Sequence, residues 1–196
     1  MFDPENYLIP DEELLPSTQK KFTYDYPMPC VTADIVLIAV DKDGKPWVLL
    51  IKRKNTPYRG SWALPGGHLD VDTDQTLLVT AERELEEETG IDVELYNISL
   101  KQLHTYGKIG RDERGRYVTV AFYGIIDRLI EPQHGSDASN AKWVGVDTAQ
   151  GLSLAWDHNQ ILNKAFGHVV IDDHISTYWP DIDKKFKAVN PSDLED

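Results

Sequence analysis

The chain has 196 residues, with 33 acidic and 20 basic side chains and a formal net charge of −13. That length holds one domain with a sizeable core, and 41% hydrophobic residues exclude a disordered chain. The acidic excess argues against a nonspecific grip on nucleic acid, which needs a basic surface. It leaves phosphate ligands open, because carboxylates reach phosphate through bridging divalent ions.

Residues 1–26 are acidic and proline-punctuated and read as an N-terminal arm. The start lacks the basic segment and long apolar run of a signal peptide. The longest apolar run, Ile35 to Val40, is too short to cross a membrane. The single cysteine, Cys30, permits no intrachain disulfide and reads as a small core residue. The expectation is a cytoplasmic protein with no membrane partner. From Pro27 the composition changes. Val31–Val40 and Trp47–Ile51 flank the turn-rich Asp41–Pro46 and predict a β-hairpin. A polar stretch over 52–66 ends in Trp62-Ala63-Leu64-Pro65-Gly66-Gly67. A helix is expected from about Asp74 to Gly90, with the glycine as its C-cap. Strands are expected at Val93–Leu103, Tyr117–Ile126 and Ala141–Val146, then a helix over Asp157–Phe166, N-capped by Asp157. This order predicts an α/β (α+β) sandwich with helices packed on the sheet. The domain would span 27–167, leaving 168–196 as a C-terminal tail.

The first helix carries the chemistry. At about 100° per residue, Leu77, Leu78, Ala81 and Leu85 form a stripe facing the sheet. Glu84, Glu87 and Glu88 share an adjoining face. Their mutual repulsion is reversed by a divalent cation, and oxygen-only ligands suit Mg²⁺ or Mn²⁺. Glutamates also crowd onto exposed helices because they are good helix formers. The Leu-Pro-Gly-Gly turn before the helix and Arg83 within it tip the reading toward a site.

These residues resemble the box of the Nudix hydrolases: a glycine, five residues, a glutamate, seven residues, then Arg-Glu-apolar-x-Glu-Glu-x-Gly-apolar. The chain supplies Gly67 and Arg83-Glu84-Leu85-x-Glu87-Glu88-x-Gly90-Ile91. The second half matches at every specified position. The first half carries a two-residue insertion. The box glutamate falls on Thr73 counted from the glycine and on Gln75 counted from the arginine, with Asp72 and Asp74 as candidate replacements. The resemblance implies a Nudix-type α/β/α sandwich with a mixed sheet and a catalytic loop–helix–loop. It implies metal-dependent hydrolysis of a nucleoside diphosphate linked to another moiety. It also implies metal ligation by Glu84, Glu87, Glu88 and the Gly66 carbonyl, with Arg83 orienting the cluster.

Further segments narrow the resemblance to one branch. They are Pro29-Cys-Val-Thr32-Ala-Asp34, Trp62 to Gly67, Arg111-Asp-Glu-Arg-Gly-Arg116 and Leu154-Ala-Trp-Asp157-His158. That branch contains ADP-ribose pyrophosphatases and related sensor domains of transcriptional regulators of NAD metabolism. It makes ADP-ribose, cleaved to AMP and ribose 5-phosphate, the expected substrate. A sensor is the alternative. Such regulators carry a winged-helix domain after the Nudix domain, and the residues after Phe166 are too few and too acidic for one. Dinucleoside polyphosphates and oxidised nucleotides are further candidate substrates.

Outside the box, Arg111, Arg114 and Arg116 form a compact basic cluster. It either meets a diphosphate or ribose, with Arg111 and Arg116 the better candidates, or pairs internally with Asp112 and Glu113. Arg53 and Arg59 border the site and are candidates for phosphate contact; Tyr26 or Phe22 are candidates for stacking on adenine. Asp137, with Glu131 nearby, is the candidate base outside the helix. His158 reads as a packing or hydrogen-bonding residue. Relatives in the family commonly form homodimers, and Phe22, Tyr24, Tyr26, Tyr178 and Trp179 offer apolar surface for one.

Overall fold

The structure, a computed structural model, describes residues 25–133 and 138–171. Most of the expected arm, most of the expected tail, and Asp137 lie outside them.

Strands β1 (Cys30–Val40) and β2 (Pro46–Arg53) form the expected antiparallel hairpin. Its turn is built on Asp41, whose carboxylate accepts the N–H groups of Asp43 and Lys45 at 2.9 and 2.8 Å. Two short strands follow: β3 (Trp62–Ala63) pairs with β2, and β4 (Gly66–His68) pairs with β1. Then come α1 (Leu77–Thr89), β5 (Lys101–Tyr106), β6 (Tyr117–Ile126), β7 (Ala138–Gly145), α2 (Val146–Gln150) and α3 (His158–Ile171).

The sheet runs β3-β2-β1-β6-β5, with β4 added on β1 and β7 on β2. β1 and β6 are parallel from Cys30↔Tyr117 to Ala39↔Ile126, and the other pairings are antiparallel, so the sheet is mixed. Both faces are covered. Ile35, Leu37 and Leu49 pack with Ala81 and Leu85 of α1, whereas Val36, Ile38 and Leu50 pack with Ile161, Leu162 and Phe166 of α3. This is why β1 is apolar on both sides rather than alternating. The outcome is the expected α/β/α sandwich.

Several boundaries differ from the sequence reading. Helix α1 begins at Leu77 because Thr76 takes the N-cap, its Oγ1 accepting the Val79 N–H at 3.2 Å. Gly90 is the left-handed C-cap, at φ +69°. Leu78 is 37% exposed and falls off the buried stripe, which Ala81 and Leu85 fill. Only the end of Val93–Leu103 is strand. Asp92 closes a turn by accepting the N–H groups of Glu94 and Leu95, at 2.8 and 3.1 Å, so its buried aliphatics pack from loops. The five-residue α2 is too short to show periodicity. α3 runs to Ile171, past the expected boundary at 167. Cys30 is exposed at the start of β1 rather than in the core. No helix among the described residues is long and apolar enough to cross a membrane.

Candidate functional site

The Leu64–Gly67 turn is fixed from three sides. The Pro65 carbonyl accepts the Ile35 N–H at 2.8 Å, the Leu64 N–H donates to His158 Nδ1 at 2.9 Å, and the Gly66 N–H donates to the Glu88 carboxylate at 2.9 Å. Gly66 has φ +153°, and a Cβ there would overlap the Ala33 carbonyl. A Cβ at Gly67 would overlap the Glu84 carboxylate. The two glycines therefore let the turn lie directly against the glutamate face of α1.

Arg83 organises that face. Its Nη1 donates to Glu84 at 2.9 Å and to Glu87 at 3.2 Å. Its Nη2 donates to Asp74 and to the His68 carbonyl, both at 2.9 Å, and Nε reaches Asp74 at 3.1 Å. Only 1% of the Asp74 side chain is exposed, and the Arg83 guanidinium holds its carboxyl down to about 2. Of the positions left open by the insertion, Asp74 is thus the carboxylate that faces Arg83. Asp72 lies exposed. Asp74 also accepts the Asp70 N–H at 2.9 Å, which closes the enlarged loop.

Glu84 is mostly buried and Glu87 largely exposed. Burial pushes the Glu88 carboxyl up to about 8, against the opposing pull of the Gly66 N–H, and burial likewise raises Glu84. Among the described residues no three His, Cys, Asp or Glu side chains converge as a metal cluster. As packed, Arg83 draws Glu84 and Glu87 while the Gly66 N–H engages Glu88. The donor chemistry nevertheless fits a hard divalent cation. The acids offer only oxygen, and their desolvated, crowded carboxyls are the kind a positive charge would restore to the ionised form.

Glu84 and Glu88 open onto a cleft of about 300 Å³, whose walls include Asp34, Arg53, Arg111, Arg114, Trp156 and His158. The Arg53 guanidinium lies 4.2 Å from the Trp156 ring centroid. Arg114 lies 4.6 Å from that of Tyr117 and 5.1 Å from that of Trp156. The Arg114 side chain also pairs with buried Asp112 at 2.6 Å, so the internal pairing considered for this loop is present.

The other sequence candidates separate. Arg111 reaches the wall, but its side chain is 5% exposed and bound to Asp157 through two N–H groups at 2.9 and 2.6 Å, with Asp34 at 3.8 Å. Asp157 accordingly spends its carboxylate on Arg111 rather than on the expected helix cap. Exposed Arg116 donates to the Gly107 carbonyl, and exposed Arg59 to the Lys54 carbonyl at 2.8 Å. Tyr26 is 46% exposed. None of these last three lines the cleft. Glu131 is exposed.

The sequence reading uses Asp34 and Trp156 only as parts of the segments that mark the branch, with no site role, and ranks Arg114 below its neighbours. Asp34 left a signal, an acid inside the apolar Val31–Val40 run. His158 is a hydrogen-bonding residue, as read, but its partner was not foreseeable. It is 2% exposed, and burial pushes its pKa down. The neutral ring accepts at Nδ1 and turns Nε2 toward Asp34, 3.7 Å away.

The NUDIX domain family model matches residues 28–165. The ADPR responsive transcriptional repressor NtrR of Acinetobacter baylyi is 39% identical over 145 residues, covering 74% of this chain and 56% of the repressor. The chain thus spans little more than half of that relative's length. The ADP-ribose pyrophosphatase of Methanocaldococcus jannaschii is 35% identical over 138 residues, 70% of this chain and 73% of that enzyme. Among solved structures, the NUDIX domain of Shewanella oneidensis NrtR complexed with ADP ribose aligns with a TM-score of 0.68 and 31% identity. It covers 74% of this chain and 94% of that one.

Proposed function

The chain belongs to the Nudix family, and from that premise we propose that it is a divalent-metal-dependent pyrophosphohydrolase that cleaves ADP-ribose to AMP and ribose 5-phosphate. One observation carries the reading. The Gly66-Gly67 turn and α1 place Glu84 and Glu88 in the same cleft as two guanidiniums, Arg53 and Arg114, that lie over Trp156. Carboxylates and guanidiniums lining one cleft suit a metal–diphosphate ligand. The similarity to an ADP-ribose pyrophosphatase supports the choice of substrate.

Glu84, Glu87 and Glu88 would hold Mg²⁺ or Mn²⁺, with the Gly66 carbonyl as a further oxygen. When bound, the cation neutralises diphosphate charge and lowers the pKa of an attacking water. Arg83 keeps the glutamates oriented, a role set by its bonds to Glu84, Glu87 and Asp74. Arg53 and Arg114 orient phosphate oxygens. Asp137 remains the proposed base. Water adds to one phosphorus, the bridging P–O bond breaks, and the leaving phosphate oxygen takes up the charge. The working unit we propose is a cytoplasmic homodimer.

The test is turnover of a nucleotide panel with Mg²⁺ and Mn²⁺, products identified by chromatography, beside the variant Glu88→Gln. The amide preserves a Gly66 acceptor, so the variant stays folded while ADP-ribose hydrolysis falls at least ~100-fold. Undiminished hydrolysis in that variant would sink the site assignment. A second reading, an ADP-ribose sensor, is favoured by the 39% identity to a repressor that responds to ADPR. Tight ADP-ribose binding without turnover by the wild type would select it.

A further inference from the structure

The main chain around Trp156 is pinned on both flanks. The Ala155 N–H donates to the Trp62 carbonyl at 2.9 Å, and the His158 N–H turns back to the Ala155 carbonyl at 3.2 Å. Between these bonds Trp156 sits at φ +50°. A bulky residue rarely adopts that left-handed conformation, which persists only where its surroundings over-determine it. The indole packs against Ile51, Ala63, Ala141 and Ala155. Tyr58 stands edge to face against the ring at 5.3 Å.

The ring so fixed meets two cations, with Arg53 at 4.2 Å and Arg114 at 5.1 Å from its centroid. Charge alone opposes this arrangement. Burial and the neighbouring charge of Arg114 pull the Arg53 guanidinium below its ordinary pKa. Arg114 is tethered by Asp112 at 2.6 Å. The Arg53 Nε donates to the Pro57 carbonyl at 3.0 Å, a bond that brings no opposite charge. An aromatic face attracts a cation yet leaves its N–H groups and its charge for an anion, which a carboxylate does not.

We propose that Trp156 is a positioning residue that keeps Arg53 and Arg114 in the cleft as one clamp for a diphosphate. The ring acts through the two guanidiniums and not by touching the ligand. This rests on the reading of the cleft as a diphosphate site. The effect of Trp156 on binding must then depend on the arginines.

The test is a double-mutant cycle on the full chain with Mg²⁺. Calorimetry follows binding of an ADP-ribose analogue whose bridging oxygen is replaced by methylene, so that no turnover intervenes. Trp156→Leu is expected to weaken binding about 10-fold, and Trp156→Phe, which restores a ring face, to recover most of that loss. In an Arg53→Gln or an Arg114→Gln background, the loss from Trp156→Leu should shrink to about threefold. For hydrolysis of ADP-ribose itself, KM should rise about 10-fold with kcat changed less than about threefold. Fluorinated tryptophans placed at position 156 withdraw charge from the ring face at nearly constant shape. Binding should weaken in step with the number of fluorines, whether or not the leucine variant folds.

The proposal is overturned if Trp156→Leu costs the same in all three backgrounds, since the ring would then act on the ligand or on the fold directly. It is equally overturned if fluorination leaves binding unchanged, or if wild type does not bind the analogue. Hydrolysis by wild type without the coupling would sink the clamp and leave the hydrolase reading standing. Binding with the coupling but without hydrolysis would do the reverse.

Discussion

Asp74 and Arg83 meet across an enlarged loop, the aspartate carboxylate accepting Nη2–H at 2.9 Å and Nε–H at 3.1 Å. The pair absorbs the two-residue insertion. A carboxylate still faces the arginine, although its sequence position matches neither way of counting the box. Because Arg83 also donates to Glu84 and Glu87, Asp74 governs where two of the glutamates sit.

Asp74→Asn should therefore cost about 2 kcal/mol of stability at neutral pH. The sign follows from the depressed pKa. The folded carboxyl titrates at about 2 and the free one at 3.8. Its contribution is present above pH ~4 and lost as pH falls toward 2. Urea unfolding of wild type and variant at pH 6, 4 and 2.5 should show the gap narrowing. A gap independent of pH would mean the ion pair is not its source.

The adjacent glycines should respond differently to one added methyl group. At Gly67 the Cβ meets the far end of the flexible Glu84 side chain. Gly67→Ala should fold with a loss under about 1 kcal/mol and lose most hydrolysis, because Glu84 is pushed off its position. At Gly66 the Cβ meets the Ala33 carbonyl, which cannot yield. Gly66→Ala should fail to accumulate as folded protein. The soluble yield of each variant, with circular dichroism and turnover on what can be purified, separates these outcomes.

His158 should act through the turn. Replacing it with leucine leaves the Leu64 N–H buried without an acceptor, costing about 1–3 kcal/mol. His158→Asn supplies an oxygen and should recover part of that loss. If the turn positions Glu88 through Gly66, kcat should drop in the leucine variant more than KM rises. Equal loss in both variants, with KM alone affected, would remove His158 from this role.

Arg111 and Arg116 looked alike in sequence and should not behave alike. Arg111→Ala strands the partly buried Asp157 carboxylate, and such deletions cost about 3–5 kcal/mol. Arg116 is exposed, so Arg116→Ala should change stability by less than about 0.5 kcal/mol and leave ADP-ribose turnover intact. Chemical denaturation with parallel kinetics checks both. Loss of turnover in a stable Arg116→Ala would place that side chain at the substrate after all.

What the sequence determined by itself was local. The hairpin followed from two aliphatic runs around a turn, and α1 with its glutamate face followed from spacings of three and four residues. The Gly90 cap followed from position alone. These features depend on neighbours within one or two turns of chain, so periodicity and caps suffice to read them. Which arginines line the cleft, which acid serves Arg83, and what anchors the Leu64–Gly67 turn were decided only by tertiary structure. Leu64 and His158 are 94 residues apart, and Arg111 and Asp157 are 46 apart. Those pairings exist because α3 packs on the sheet face opposite α1 and brings its first residues to the strand ends that carry the turn. No residue type or spacing encodes that encounter, since its partners become neighbours only once both faces of the sheet are covered.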